Sequence, residues 1–321
     1  MEKEIGIIIP AYHAHDTIQR LLHSISIFSF VDRVAVCIVD DCDELNYDYL
    51  RDKFDNLDII IFKNKENSGP GFSRNVGIQW ARKNKIPFIM FADADDYFLN
   101  FDFWDKISDE EKIHNQYFVF NFFNDEMGYN TKDLDVWSFG KIYRIDVIIN
   151  NYIEFPNSYS NEDVVFNFIY YSCIENMYVN DTTIYFWKNT PGSLSRAKDY
   201  LYHSYPKLIT DLTDAFYSHK EIIPKEKIKL MVINRTIRLY YFLNELLFVH
   251  PNILKKTNDF DKSIFEALHY FYTDCYKTVE EDISINDILQ NFKEINSGND
   301  IITSFTWINF LDFLNIIKED C

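Results

Sequence analysis

Basic charge, cysteine and long uninterrupted apolar runs are all scarce in this chain, and each scarcity removes a class of function. Lys and Arg number 32 against 50 Asp and Glu, giving a formal net charge of -18. A general nucleic-acid binder needs a phosphate-neutralising basic surface, so nucleic acid is not an expected partner. The same deficit argues against broad electrostatic adhesion to an anionic membrane. The five cysteines (Cys37, Cys42, Cys173, Cys275, Cys321) are scattered and odd in number, and no pair has zinc spacing. Such usage fits a reducing cytoplasm. Charges interrupt the longest apolar stretches, so no transmembrane segment is expected. Nor does a basic segment with an apolar core open the sequence, so a secretory leader is not expected. A cytoplasmic protein is the reading, with peripheral attachment at the inner face of a membrane as its variant. The chain also lacks an internal repeat and a low-complexity linker.

What is present is an alternation. Ile5 to Ile9, Val34 to Val39, Ile59 to Phe62 and Phe88 to Ala92 read as strands. Between them fall helical patterns from Asp16 or Thr17 through Ile25, over Leu45 to Phe54, and over Ser73 to Lys83. Alternation of this kind predicts an α/β fold with a largely parallel sheet and helices on both faces. Ligands in such sheets sit beyond the carboxyl ends of the strands. Three segments fall there: Pro10-Ala11-Tyr12, Asp40-Asp41 and Asp93-Ala94-Asp95. Past residue 100 the pattern breaks into shorter strands and loops, with one helix near Asp163 to Tyr171. After Tyr200 it turns helical, with stretches over Ile228 to Phe248, Ile264 to Tyr272 and Phe305 to Ile317, punctuated by Pro206, Pro224 and Pro251. The wealth of Phe and Tyr reads as compositional bias before it reads as a carbohydrate-stacking surface.

Several motifs carry chemistry, and each alone has a plainer reading. Phe88 to Ala92 is an apolar strand that ends in Asp93, Asp95 and Asp96. Carboxylates crowded at a strand end repel one another, and a hard divalent cation shared with phosphate relieves that repulsion. An acidic loop capping the next helix is the plainer account. Asp40 and Asp41 follow the second strand, where a carboxylate could accept from a nucleobase N–H or ribose hydroxyl; a helix cap would use the same residues. Asn67, Gly69, Gly71 and Arg74 lie between strand and helix. The glycines permit close backbone approach, and Arg74 could meet a diphosphate bidentately. This segment matches neither the P-loop nor the dinucleotide glycine pattern. Glu162 and Asp163 open an apolar helix, either as acidic capping or as a general base that takes a proton from an attacking hydroxyl. Gly192 to Arg196 reads as a connecting turn or as a clamp on departing phosphate. His13 and His15 have no acidic or cysteine partner at metal spacing and read as solvated loop residues.

Taken together the pieces are more specific. Ile7-Ile8-Ile9-Pro10-Ala11-Tyr12, Val39-Asp40-Asp41, the Asn67 to Gly77 segment and Phe91-Ala92-Asp93-Ala94-Asp95-Asp96 occur in this order and at these distances. Gly140-Lys141-Ile142-Tyr143-Arg144, Phe155-Pro156, Asn161-Glu162-Asp163 and Gly192 to Arg196 continue the series. The chain resembles the family 2 glycosyltransferases over roughly residues 4–196.

The resemblance implies a GT-A-like (Rossmann-like), mostly parallel sheet flanked by helices. Residues 1–199 would form the transferase domain, with a nucleotide-sugar half (1–99) and an acceptor half (100–199), followed by a helical region (200–321). It implies a metal-dependent inverting glycosyltransferase of the hexosyltransferase type, moving sugar from a nucleotide-diphosphate sugar, by expectation a UDP-sugar, to an acceptor hydroxyl. That acceptor would be a surface polysaccharide, a lipid-linked glycan or another hydroxyl compound. Pro10, Ala11, Tyr12 and Asp41 would line the base pocket, with Asp40 as the alternative to Asp41. Asn67, Gly69, Arg74, Asp93, Ala94 and Arg196 would hold the rest of the donor. Asp95 with Asp93 would ligate Mn²⁺ or Mg²⁺. Asp163 would be the base, with Glu162 orienting it or touching the acceptor. His13 departs from the Asn more usual there, and Cys42-Asp43 from the usual continuation. The helices after Tyr200 match no motif and are the candidate homo-oligomer surface. A non-catalytic sugar-nucleotide-binding module, a scaffold for a partner and a nucleotidyltransferase are the competing readings. The last would want a glycine-rich basic loop after the first strand, which Pro10 to His15 does not provide.

Overall fold

The structure is a computed structural model that describes residues 2–134, 136–158, 160–190, 200–297 and 308–319. The chain divides into two compact units, Met1–Ser193 and Leu194–Cys321. In the first unit, strands β1 (Ile5–Ala11), β2 (Val34–Asp40), β3 (Ile59–Lys63) and β4 (Phe88–Phe91) alternate with helices α1 (Ile18–Ser26), α2 (Tyr49–Lys53) and α3 (Gly69–Lys83). β1 and β2 are buried along nearly their whole length, as strands covered on both faces must be. α1 buries Ile18, Leu21, Leu22 and Ile25, the spacing of a single helical stripe.

Then come β5 (Tyr97–Phe98), α4 (Asp109–His114), β6 (Tyr117–Asn124), β7 (Tyr129–Thr131), β8 (Lys141–Arg144), α5 (Ile145–Asn150), α6 (Glu162–Cys173) and β9 (Met177–Trp187). The sheet order is β3-β2-β1-β4-β8-β6-β9-β5, with β7 on β6. Pairing is parallel from β3 to β4, as alternation predicts. Beyond β4 the sheet is mixed: β8 runs antiparallel to β4 and β6, and β9 runs parallel to β6. The chain therefore builds outward from β1 to β3, then returns to place β4 on the other side of β1. Ligands in open sheets commonly sit beyond the strand ends at such a reversal, which here falls at the loops after β1 and β4.

Three local expectations shift. The helix anticipated over Leu45 to Phe54 shrinks to α2. Asn46 Oδ1 accepts from Asp48 N–H (3.2 Å) and the Tyr47 side chain is buried, so a turn replaces its first half. α3 starts earlier than Ser73, because Pro70 suits a helix start. Two short helices, α4 and α5, join the single one expected between residues 100 and 196.

Many of the aromatic residues turn inward. Phe28, Phe30, Phe98 and Phe103 pack edge-on or stacked, and Trp104 is fully buried with its indole N–H donated to Glu4 (2.7 Å). Helix α3 lies close on β1 because Gly77 has no side chain: a Cβ there would fall 2.3 Å from Ile8 Cγ2. Gly77→Ala should lower stability by about 1–3 kcal/mol, the usual cost of overpacking. A reduced urea midpoint at unchanged slope is the check.

The second unit is helical: α7 (Tyr200–His219), α8 (Lys225–Val249), α9 (Asp259–Asp274), α10 (Ile285–Ser297) and α11 (Phe310–Lys318). The stretch expected over Phe305 to Ile317 lies partly outside the described residues. Pro206, anticipated as punctuation, sits inside α7. Tyr205 donates to the Leu239 carbonyl (2.8 Å) and Tyr202 to Asp261 Oδ1 (2.8 Å), tying α7 to α8 and α9. α8 is buried on more than one side, at Val232, Ile233, Arg235, Thr236, Leu239, Leu243 and Leu247 among others. Among the described residues, no helix is long and apolar enough to cross a membrane.

Candidate active site

β1 delivers Pro10 and the buried Ala11 to its carboxyl end, and Tyr12 stands beyond them, 48% exposed. Its ring lies 4.0 Å from that of His13, centroid to centroid. Asp40 and Asp41, at the end of β2, are both buried and both engaged. Asp40 accepts from Asp43 N–H (2.7 Å) and pairs with Lys63 (3.2 Å). Asp41 accepts from Asn64 Nδ2 (2.7 Å), Ser68 N–H (3.0 Å) and Gly69 N–H (2.8 Å). It thereby caps α3 across 28 residues of sequence, placing negative charge where helix dipoles favour it. Gly69 makes the entry at φ +84°, a backbone state open to glycine. Asn67 belongs to the same loop and is half-buried.

The two loop histidines do have an acidic partner. Buried Asp43 accepts from His13 N–H (2.7 Å) and Tyr47 OH (2.9 Å). Its oxygens also lie 3.1 Å from His13 Nδ1 and 3.4 Å from His15 Nε2. Burial pushes this carboxyl up, but the hydrogen bonds from Tyr47, His13 and Glu44 outweigh it and leave the group below its ordinary value.

Arg74 occupies the centre. Its guanidinium is buried, donates to Asp93 Oδ1 (2.8 Å) and Glu162 Oε1 (2.5 Å), and lies over the Phe155 ring at 5.4 Å. The structure thus commits Arg74 to two carboxylates, where the resemblance implied a donor contact. Next to it, the Asn75 side-chain amide pairs with both main-chain groups of Phe155 (2.9 and 3.0 Å). Gly71 completes this junction: a Cβ would meet the Pro156 carbonyl at 2.9 Å and Glu162 Cγ at 3.0 Å. Its close approach serves the protein's own chain.

The carboxylates after β4 separate into roles. Asp96 is buried and accepts from Tyr185 OH (2.8 Å) and Lys188 N–H (2.8 Å). Burial and then the charges of Asp93 and Asp95 push it well above the usual carboxylate range. Asp93 N–H donates to the same Tyr185 hydroxyl (2.9 Å), so one tyrosine braces the turn from both sides. Ala94 is buried between half-buried Asp93 and Asp95. Burial first, and then repulsion from Asp93, raises Asp95. Arg20 on α1 donates to the Asp95 carbonyl and stacks over Tyr97 at 5.0 Å. Among the described residues, no group of three or more His, Cys, Asp or Glu is arranged to hold a metal unaided. Asp93 and Asp95 nevertheless fit a hard cation. They are adjacent, mutually repelling oxygen donors, and such ions commonly take one or two carboxylates and complete their shell with substrate phosphates.

On the far side, α6 opens after Asn161 in a left-handed conformation (φ 58°, ψ 17°), with no side-chain cap. Among the described residues, Asp163 Oδ1 accepts from its neighbour's Val164 N–H (2.9 Å). Burial, followed by the charge of Glu162, pushes Asp163 up to about 8 against the pull of Arg74. A carboxylate held near neutrality is suited to taking a proton from a hydroxyl. One turn on, buried Asn167 donates to the Val136 carbonyl (2.9 Å) and accepts from Tyr143 OH (2.7 Å), which fixes the helix in place.

The structure therefore joins Asp93 and Glu162 through the Arg74 guanidinium, with Asp163 next to Glu162 at the start of α6 and Asp95 two residues beyond Asp93. Arg196, with Gly192 to Ser195, lies outside the described residues. Sequence reasoning missed Asp43, Arg20, Asn75, Asn167 and Tyr185. Tyr185 reaches its partners across about ninety residues, where no local pattern could announce it.

Residues 6–154 match the family described as Glycosyl transferase family 2. No curated protein matches the chain by sequence. Among solved structures, S. aureus TarS 1-349 in complex with UDP-GlcNAc is similar at 19% identity, over 92% of this chain and 91% of that one, with a TM-score of 0.68. The mannosyltransferase PcManGT from Pyrobaculum calidifontis, in complex with GDP-Man and Mn²⁺, is similar at 10% identity over 99% and 86% of the two chains, with a TM-score of 0.53. These likenesses bear out the GT-A fold, with its curled sheet, flanking helices and added C-terminal helices. The match to glycosyl transferase family 2 runs over residues 6–154, from β1 to α5, and takes in the carboxylates after β4; on that match the chain is a glycosyltransferase.

Proposed function

We propose that this glycosyltransferase uses a nucleotide-diphosphate sugar, by preference a UDP-sugar, and transfers the sugar to an acceptor hydroxyl with inversion. The observation that carries this reading is the raised Asp163 carboxyl, adjacent to the Glu162 that Arg74 links to Asp93. The acceptor oxygen attacks the anomeric carbon and its proton passes to Asp163. The bond from that carbon to the diphosphate breaks, and the nucleoside diphosphate leaves with the electron pair. Glu162 and Arg74 hold the base at a fixed distance from the donor carboxylates, so the reactants meet already oriented. Tyr12 with Pro10 and Ala11 lines the base end of the donor site, and Asp93 the ribose end. A Mn²⁺ or Mg²⁺ ion at Asp95 and Asp93, when bound, would offset charge on the leaving diphosphate. Surface or lipid-linked glycan is the acceptor class that a cytoplasmic transferase of this kind would serve.

A panel of sugar nucleotides with Mn²⁺ or Mg²⁺, scored by release of nucleoside diphosphate, tests the reading. One UDP-sugar should turn over well above the rest. EDTA should stop turnover and added metal restore it. Asp95→Asn keeps shape but removes charge, and should lose at least about tenfold in rate even at saturating metal. Full activity in chelator or in Asp95→Asn would remove the metal from the proposal. No turnover of any sugar nucleotide would remove the donor.

A further inference from the structure

A cleft of about 330 Å³ opens between α3 and α5. Ligand pockets commonly enclose roughly 300–1,000 Å³, so there is room for a small molecule or a piece of a longer one. The floor is apolar and buried, made of Ile78 from α3, Ile148 from α5 and Ile153 from the turn that follows. The rim is polar and exposed: Gln79 and Arg82 on α3, Asn150 at the end of α5, then Tyr152 and Glu154. None of these residues has a role in the proposed transfer.

Tyr152 is the residue that the fold alone does not account for. Helix α5 ends at Asn150, and Ile153 N–H reaches back to the Ile148 carbonyl (2.9 Å) while Tyr152 N–H reaches that of Ile149 (3.4 Å). These bonds close the helix around Tyr152 at φ 55°, the left-handed position that glycine usually fills. A bulky side chain there is strained, and such strain marks places where something other than backbone preference decides the residue. Burial does not decide it, because Tyr152 is 82% exposed. What it does is border the cleft.

The rim narrows the occupant. Gln79 and Asn150 carry amides that donate and accept, as sugar hydroxyls do, so each can meet a hydroxyl in either sense. Arg82 and Glu154 offset one another in charge, which favours a neutral ligand over an ionic one. Tyr152 adds a rigid amphipathic ring suited to the C–H face of a sugar. The cleft begins at Asn75, next to Arg74, and α3 carries it about 10 Å further to Arg82. We infer that the cleft between α3 and α5 is a second glycan site, which holds a neutral, hydroxyl-rich stretch of the acceptor away from its reacting end. The inference rests on the glycan-acceptor reading above and deepens it. An acceptor tethered there meets the reacting centre at a raised effective concentration.

Calorimetry of the full chain with cellohexaose, maltohexaose and N-acetylchitohexaose tests it, on the wild type, Tyr152→Gly and Gln79→Ala. The wild type should bind at least one of the three. Tyr152→Gly should weaken that binding by at least about fivefold, through loss of the ring contact. Gln79→Ala should weaken it by about two- to tenfold, the range for one hydrogen bond. Glycine suits the left-handed backbone, so Tyr152→Gly should hold or raise the urea midpoint, and lost binding would not reflect lost structure. Release of nucleoside diphosphate from the sugar nucleotide, without glycan, should be the same in both variants as in the wild type. No binding of any hexasaccharide by the wild type, or equal binding by Tyr152→Gly, overturns the site and leaves the donor reading standing. Hexasaccharide binding in a protein that turns over no sugar nucleotide would keep a glycan site here but overturn its part in transfer.

Discussion

Asp163→Asn should transfer sugar at least about a hundredfold more slowly than the wild type, the lower range for loss of a general base. Asparagine keeps the shape and can still accept from Val164 N–H, so the fold of α6 is preserved. Donor affinity should change little, because the residues at the ends of β1 and β4 are untouched. Steady-state rate together with sugar-nucleotide calorimetry separates the outcomes. An active variant, or one inactive only through lost donor binding, counts against the base. The pH profile adds a second readout. With its titration pushed up to about 8, Asp163 is mostly protonated at neutrality and cannot take a proton. Raising the pH uncovers the base, so kcat/KM should climb about tenfold per unit and level off near the shifted value. A limb at ordinary carboxylate pH would contradict the burial that causes the shift.

The other large effect belongs to Arg74. Its removal leaves the Glu162 carboxylate buried beside Asp163 with no cation, and breaking a buried pair from one side typically costs about 3–5 kcal/mol. Arg74→Ala should therefore unfold at distinctly lower urea. Arg74→Ala combined with Glu162→Gln should recover part of the loss, because the orphaned charge is gone. A surviving single variant should also show the activity limb displaced to higher pH, since Arg74 is the charge that pulls Asp163 down. Were Arg74 only a phosphate ligand, stability would be unchanged and donor KM alone would rise.

Much of the site could be read in the sequence, and the unread part has a physical pattern. Strands β1 to β4 announce themselves because burial on both faces forces continuous apolar runs such as Ile5 to Ile9. Asp93 and Asp95 stand out because charge ends such a run abruptly, and Glu162 and Asp163 because charge begins one. Contacts between side chains remote in sequence leave no such mark. Nothing near Arg74 names Glu162, 88 residues on, and nothing near His13 names Asp43. Half of the sheet was equally silent. β6 is nearly as apolar as β1 while β9 is broken by Asn180, Asp181, Thr182 and Thr183, and the direction of each is set by which neighbour it meets. Arg235 is another case: a charged residue in the Ile228 to Phe248 stretch, it is nevertheless buried within α8.

The span between Arg74 and Glu162 also sets a clock for synthesis. Translation at about 5–20 residues per second separates the two by about 4–18 s. During that interval α3 exists without the carboxylate that neutralises its buried cation, and Gly71 faces an empty space where Pro156 will sit. The sheet from β3 to β4 can form early, but α3 cannot settle fully on it until α6 has left the ribosome. A nascent chain stalled before residue 162 should therefore be far more open to proteolysis around α3 than the finished protein.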